Sequence, residues 1–327
     1  MGASTSDRAG MLWIMALMAI YRVEPTQRDT VNVFSAAHEP VVTVEPGDTV
    51  LVRTLDAAGY LERQEFPGDI RRPKMFAGDF RGHCLSRPVA VRGAAPGDML
   101  KVEIVSLVPD TWGWTSSPGH PGTPVPERLG LGAADRASLL WEIDLDAGTA
   151  TANGKYTRPI APFLGVTGTA PAAPGEHSTV PPRTEAGGNI DCKELVAGST
   201  LYLPVNTDGG LLYFGDGHGA QGDGESSGTA IECGMTTEAV VSVARERPLP
   251  AVHAETPAGL VTFGFSADLN EAMGDALEAM VTWMTGLYGT SRSEALALAS
   301  TCADLRVTQV VNITWGVHAL LPAGLLS

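Results

Sequence analysis

The chain has 327 residues, more than a typical single domain, so we expect one large domain or two closely packed ones. Its 22 basic and 37 acidic residues give a formal charge of -15 without any basic patch, which argues against nucleic acid as a partner. The 38 Gly and 23 Pro residues, with only 6% aromatic residues, are typical of a mainly β protein with many turns.

Residues 1–30 are predicted to be an N-terminal extension. They contain a ten-residue apolar run, MLWIMALMAI, which is too short to span a bilayer and lacks the basic flank and cleavage site of a secretion signal. A signal segment, a translation start at Met15 or Met18, and a genuine extension are the alternatives. The four cysteines lie far apart with no CxxC pair, so we expect reduced thiols in a cytoplasmic protein without a membrane partner.

Residues 31–327 are predicted to form a β domain, either undivided or made of two intimate subdomains. The Pro- and Gly-rich segment 109–136 lacks periodicity, which indicates a long surface excursion or lid and the best internal boundary. Alternating apolar and polar residues around Pro46-Gly47-Asp48 predict a half-buried hairpin, and the same turn recurs at residues 96–98. Together these patterns predict a sandwich or barrel of antiparallel strands.

Two further turns and two helices complete the prediction. Asn153-Gly154 indicates a two-residue hairpin, and Asp208-Gly209-Gly210 is the predicted tip of another. In ADLNEAMGDALEAMVTWMTGL, apolar residues recur every three or four positions after a cap at Asp268, which predicts an amphipathic helix with its methionines in the core. Ser291 begins a second capped helix, and the strands RVTQVVNI and GVHALLP follow it.

The segment GDGHGAQGDGE, residues 215–225, combines permissive glycines with strong metal ligands. On an extended backbone, residues two apart face the same side, so Asp216 and His218 are predicted to converge, as are Asp223 and Glu225. Imidazole with carboxylates is typical of a divalent metal site, with zinc favoured. An Asx-rich turn without a ligand is the alternative, whereas the spacing does not match an EF-hand.

Two other segments carry polar residues of the same kinds. Asn189 and Asp191 lie two apart after a pair of glycines, and His83 precedes a predicted strand. Taken alone, a histidine in such a position is more often a hydrogen-bonded structural residue than a ligand.

The long segment FLGVTGTAPAAPGEHSTVPPRTEAGGNIDCKELVAGSTLYLPV, followed by GDGHGAQGDGESSGTAIEC, resembles the acetamidase/formamidase family. The likeness runs from about residue 38 to about residue 322. It implies a jelly-roll-like or sandwich-like β fold, a homodimer or higher homo-oligomer, and hydrolysis of short aliphatic amides such as formamide and acetamide.

The resemblance also implies roles for individual residues. A divalent metal, zinc or alternatively calcium, is expected at a subset of four residues: His83, Asp191, Asp216 and His218. Glu225 is expected to be the general base and acid, Asp223 to orient it or bind the metal, and Asn189 and Gln221 to bind the amide. Glu232 is a further candidate without a ranked role.

One segment departs from the family pattern. The family's His-Pro-Leu-Thr-Gly-Pro is HCLSRP here, which places Cys84, Ser86 and Arg87 at three changed positions. Arg87 is expected to alter the pocket wall, which makes a cyclic amide such as a γ-lactam an alternative substrate. A Cys84 nucleophile is disfavoured, because neighbours on a strand face opposite sides. The alternative outside enzymes is a β-sandwich that binds a metal and a ligand without turnover.

Overall fold

The computed structural model describes residues 19–66, 69, 72–77, 81–118 and 124–325. Residues 11–18 of the apolar run, and the possible starts at Met15 and Met18, lie outside these described residues. The strands, in chain order, are β1 Ile20–Val23, β2 Thr30–Val31, β3 Val42–Val44, β4 Thr49–Thr54, β5 Leu85–Ser86, β6 Val89–Val91, β7 Met99–Pro109, β8 Trp112–Ser117, β9 Ala137–Asp144, β10 Thr149–Ala152, β11 Tyr156–Pro159, β12 Phe163–Thr169, β13 Gly187–Asn189, β14 Thr200–Pro204, β15 Leu212–His218, β16 Glu232–Cys233, β17 Met235–Ala244, β18 His253–Thr256, β19 Gly259–Ser266, β20 Asp304–Gln309 and β21 Trp315–Pro322. The helices are α1 Pro124–Arg128, α2 Leu269–Tyr288 and α3 Arg292–Cys302, with a 3₁₀ turn at Ala133–Asp135.

The strands form two sheets packed face to face. The first sheet has the order β1-β4-β17-β7-β14-β18-β19-β21-β20, and the second is built on β11-β10-β9-β8-β16-β15-β12-β13, with β2, β3, β5 and β6 attached. Val52 and Val102 of the first sheet share one buried core with Leu164 and Phe214 of the second. Among the described strands, pairing is antiparallel except between β1 and β4 and between β3 and β6. The predicted mainly β, antiparallel sandwich is confirmed.

Three predicted hairpins are wrong, because the chain changes sheet at each turn. The Pro-Gly-Asp turns at residues 46–48 and 96–98 join a strand of the second sheet to a strand of the first, and the turn at 208–210 does the reverse. The N–H of Gly47 bonds to Val241 on β17 rather than across a hairpin. Alternation shows which face of a strand is buried but not which strand it pairs with. At Asn153-Gly154, with φ of 49° and 66°, the predicted hairpin is confirmed.

Residues 109–136 are not a continuous excursion. β8, at Trp112–Ser117, pairs with β9 and β16, so this part of the segment is an internal strand of the second sheet. The chain passes from the first sheet to the second between β7 and β8. At the other end, β1 pairs with β4, so part of the predicted extension at residues 1–30 belongs to the first sheet. The division of 31–327 into subdomains stays a prediction.

Both predicted C-terminal helices are confirmed with their caps. Asp268 accepts hydrogen bonds from the first turn of α2, and Ser291 accepts one from the first turn of α3. Met280 and Met284 are buried against β21, whereas Met273 is 36% exposed. None of the helices in the described part of the chain combines the length and apolar character that a membrane span requires.

Candidate active site

Six buried polar residues meet at one end of the second sheet. Asp216 and His218 lie on β15, Glu232 lies opposite His218 on β16, and Asp191 follows β13. His83 precedes β5, and Glu225 lies in the loop after β15. All of them are less than a tenth exposed. The six form the carboxylate–histidine cluster: His83, Asp191, Asp216, His218, Glu225 and Glu232.

Asp216 lies at the centre of the cluster. One carboxylate oxygen, Oδ2, is 3.9 Å from Nε2 of His83, and the other, Oδ1, is 3.3 Å from Nε2 of His218. The same His218 nitrogen is 3.4 Å from Oε1 of Glu232. Ligand atoms of Asp191, Asp216 and His218 all lie within 4.8 Å of one another, and so do those of His218, Glu225 and Glu232. The four metal ligands expected from the sequence are therefore neighbours, and His218 belongs to both groups of three.

Gly165 on β12 provides the space in which three of these side chains meet. A Cβ at this position would lie 2.4 Å from Oδ2 of Asp216, 2.6 Å from Oδ1 of Asp191 and 2.9 Å from Cε1 of His218. β12 pairs with β15 on one side and β13 on the other, so a side chain here would enter the cluster. The missing side chain allows both flanking elements to direct their ligands to one point.

Hydrogen bonds orient His218 for binding through Nε2. Gln221 donates from Nε2 to the carbonyl of Asp191 at 2.7 Å, which directs its Oε1 toward Nδ1 of His218 at 3.0 Å. An Nδ1–H on His218 then donates to this oxygen, so Nε2 faces the carboxylates. The structure therefore places Gln221 as a support for two cluster residues, outside the main cavity. The expected contact between Gln221 and the amide is not favoured by this position.

Asn312 is a cluster neighbour that the sequence reasoning missed. Its Nδ2 donates to Oδ2 of Asp191, and Gln309 holds the Asn312 loop by accepting the backbone N–H groups of residues 311 and 312. Thr179 was also missed, and its Oγ1 lies 2.8 Å from Nδ1 of His83. Neither residue belongs to a motif, so only contacts between distant segments identify them.

Three cluster residues have left-handed backbone conformations. φ is 53° at Asp191, 57° at Asp216 and 43° at Glu225. Non-glycine residues seldom adopt this region, and such strain concentrates at functional sites. Asp216 and His218 do converge, although the backbone between them is not the regular extended strand on which the prediction rested.

Burial and the charges of neighbouring cluster residues raise the pKa values of some members of the cluster and lower those of others. Burial raises the pKa of Glu225, Glu232 and Asp191, and the Asp191 charge adds to the effect at Glu225. Burial opposes ionisation of Asp216 too, but His83 and His218 outweigh it and hold the Asp216 pKa well below its usual range. For His218, burial is outweighed by Glu232 and Asp216, so its pKa is raised. Protons or a cation must therefore neutralise this buried group of carboxyls.

Asp223 lies apart from Glu225. Its carboxylate is 2.8 Å from Nζ of Lys193 and about a third exposed, and it does not line the main cavity. Because Gly224 has φ of 94° and Glu225 is also left-handed, the backbone turns between the two acids and the expected same-face arrangement fails. A role for Asp223 in orienting Glu225 or binding the metal is therefore not supported by its position.

Of the other residues that the sequence reasoning discussed, Asn189 lines the cavity, whereas Cys84 and Arg87 do not. Asn189 lines the cavity, donates from Nδ2 to the carbonyl of Val180 at 3.0 Å, and has a buried Oδ1 without a partner among the described residues. Cys84 lies beside Gly59 and does not line the cavity, and burial raises its pKa to about 12. Arg87 does not line the cavity but lies near His38 and Tyr213, so the expectation that it alters the pocket wall is wrong.

The cluster forms the buried end of a cavity of about 280 Å³. Five of the six cluster residues line it, together with the aromatic rings of Tyr60 and Trp114, which meet edge to face at 6.3 Å. A buried acid–imidazole group at the end of a partly apolar cavity is the arrangement expected of a small-molecule site.

A model of the acetamidase/formamidase family matches residues 22–174 and 160–326 of the chain. This chain belongs to the acetamidase/formamidase family. It is therefore an amidohydrolase of the type that acts on linear amides, as the resemblance implied.

Individual relatives agree with this family assignment. The acetamidase of Bacillus halodurans superposes with a TM-score of 0.80 at 28% identity, over 92% of this chain and 97% of that one. The formamidase of Methylophilus methylotrophus is 28% identical over 57% of this chain and 56% of its own length. A γ-lactamase from Delftia acidovorans has a TM-score of 0.59 at 21% identity over 90% of this chain and 88% of that one, which shows a shared fold alone.

Proposed function

We propose that this acetamidase/formamidase family member hydrolyses a short aliphatic amide of the formamide or acetamide type to a carboxylate and ammonia. The proposal depends on one observation above all. Asp191, Asp216 and His218 converge over Gly165 at the buried end of the cavity, with Glu225 beside them. This arrangement supports a bound divalent metal together with a carboxylate that can transfer protons.

The residues of the cluster fit a metal ion. Asp191, Asp216 and His218 are the proposed ligands, and His83 is a fourth candidate at 3.9 Å from Asp216. Oδ1 of Asp191 is buried without a hydrogen-bond partner among the described residues. Imidazole beside carboxylates favours zinc over calcium, which prefers oxygen ligands alone. When bound, the ion would polarise the amide carbonyl and lower the pKa of a water molecule.

The chain itself supplies proton transfer and amide binding. Glu225 is proposed to accept a proton from the attacking water and to return it to the departing nitrogen, because it lines the cavity next to the ligands. Glu232 neighbours His218 and can assist in holding that proton. Oδ1 of Asn189, which has no hydrogen-bond partner among the described residues, is proposed to accept an N–H of the amide. The rings of Tyr60 and Trp114 limit water around the substrate.

Two alternatives differ from this proposal in testable ways. A module that binds a metal and a ligand without turnover needs Asp216 and His218 but not Glu225. A γ-lactamase activity was suggested by Arg87, and the position of Arg87 outside the cavity removes that support.

The test is ammonia release from formamide and acetamide by the purified protein, as isolated, after chelation and after zinc is restored. Activity should fall on chelation and return with zinc. Glu225→Gln should retain the metal and lose activity, whereas His218→Ala should lose the metal. Asp223→Asn makes the same kind of change outside the cavity and should retain both. Metal binding without ammonia from either amide or a γ-lactam would favour the binding module.

The expected homodimer or higher homo-oligomer stays a prediction. Size-exclusion chromatography with light scattering tests it independently of activity.

A further inference from the structure

The cavity carries opposite charges in its buried and accessible parts. The carboxylate–histidine cluster is buried, whereas Arg136 is exposed and Lys74 is half-buried, and both line the same cavity. The two cations are close enough to interact, since Arg136 lowers the pKa of Lys74 in addition to the larger effect of burial. A ligand that spans the cavity therefore meets the carboxylate–histidine cluster in its buried part and the two cations, Lys74 and Arg136, in its accessible part.

Neither cation has a carboxylate at ion-pair distance within the described residues. Nζ of Lys74 instead lies 4.5 Å over the ring of Tyr60. The acid that influences it is Asp56, which is buried and whose pKa burial raises to about 6. Of the other 18 Lys and Arg residues that the structure describes, 11 pair with a carboxylate, namely Arg28, Arg53, Arg63, Arg72, Arg81, Arg92, Lys101, Lys193, Arg245, Arg292 and Arg306. Two cations that line the same cavity, neither with a carboxylate partner among the described residues, therefore indicate a site for an anion.

The cavity is also larger than the simplest amides need. Formamide or acetamide would fill only about a third to somewhat less than half of the 280 Å³, at ~30 Å³ for each water-sized group. Tyr60, Trp114, Lys74 and Arg136 line the same cavity as the cluster, so the remaining space can accommodate an extended acyl chain.

We propose that the preferred substrate is an amide whose acyl chain ends in a carboxylate, as in the monoamide of a short dicarboxylic acid. The amide would lie at the cluster and the carboxylate at Lys74 and Arg136. Water adds its oxygen to the acyl carbon, the carbon–nitrogen bond breaks, and one proton of the water goes to the nitrogen. The new carboxylic acid then gives its proton to the released ammonia, so the products are a dicarboxylate and ammonium. This inference rests on the proposed amide hydrolysis and adds the substrate class.

The test compares succinamate with 4-oxopentanamide, which replaces the carboxylate by a neutral group of the same shape. We expect kcat/KM of the wild-type protein to be about tenfold higher for succinamate, the effect of one charge-assisted contact. Lys74→Met should remove most of this preference and leave the neutral amide within about twofold. Arg136→Met should have a smaller effect, because the exposed charge is screened. Lys155→Met is the matched control, since Nζ of Lys155 lies 4.7 Å over Tyr156 outside the cavity.

The outcomes separate this inference from the proposed function. Equal kcat/KM for the two substrates, or equal effects of Lys74→Met and Lys155→Met, would overturn the substrate class while amide hydrolysis stands. If the metal-loaded protein releases ammonia from neither substrate nor from acetamide, the proposed function itself fails.

Discussion

Replacing Gly165 with alanine should disable the site without unfolding the protein. The added Cβ would lie within 3 Å of atoms of Asp216, Asp191 and His218, and φ of Gly165 is not in the left-handed region, so the backbone accepts alanine. Each side chain that leaves its rotamer costs about 0.5–1.5 kcal/mol, so three together cost about 1.5–4.5 kcal/mol. This corresponds to about a 10- to 2000-fold effect, and we expect a loss of about 100-fold in zinc affinity and in kcat/KM.

Gly222→Ala is the matched control for this change. Gly222 lies in the same Gly-rich segment as the cluster residues, and a Cβ there would meet nothing within 4 Å. Zinc competition with a chromophoric chelator, ammonia release and thermal unfolding should be measured for both variants. We expect Gly222→Ala to match the wild-type protein in all three assays. A Gly165→Ala protein with wild-type zinc affinity and kcat/KM would refute the idea that this glycine makes room for the ligands.

Three other predictions concern residues in and outside the site. Gln221→Leu removes the acceptor for the Nδ1–H of His218 and should weaken zinc affinity by about 10- to 100-fold in the same chelator assay. An unchanged affinity would contradict the orienting role of Gln221. Cys84→Ala should keep kcat/KM within about twofold in the ammonia assay, because the thiol does not line the cavity. A larger loss would support the alternative in which Cys84 is the nucleophile. Burial lowers the pKa of His253 from 6.5 to about 4, so the folded state resists its protonation. The free energy of unfolding should therefore fall as pH decreases from about 6.5 to 4, by up to about 3 kcal/mol, and His253→Gln should reduce this slope in urea titrations at pH 7.5 and 4.5.

Local chemistry made part of the site predictable. Asp216, His218 and Glu225 stand out because glycine-rich segments seldom need an imidazole and several carboxylates for a turn alone. The caps of α2 and α3 were equally predictable, since Asp268 and Ser291 act on the turn that follows them. Such signals operate within a few residues and do not depend on the rest of the fold.

Errors arose where the pairing partner of a strand lies far away in the chain, and where the local backbone departs from an extended strand. The Pro-Gly-Asp turns were visible, but the strands beside them pair with strands in different sheets rather than with each other. Asp223 and Glu225 were expected on one face, but left-handed backbone between them separates the two side chains.

The sequence by itself determined the strand-rich character, the two capped helices and the acid and imidazole residue types that the site brings together. Tertiary structure decided which of those residues meet. Gly165 carries no chemical group, and Asn312 lies 121 positions from the Asp191 carboxylate that it contacts, so neither has a local pattern. Lys74 and Arg136 likewise become neighbours only when β8 and β9 form the cavity wall. The physical reason is that a site depends on distances in space, whereas sequence patterns report only the conformational and hydrophobic preferences of neighbouring residues.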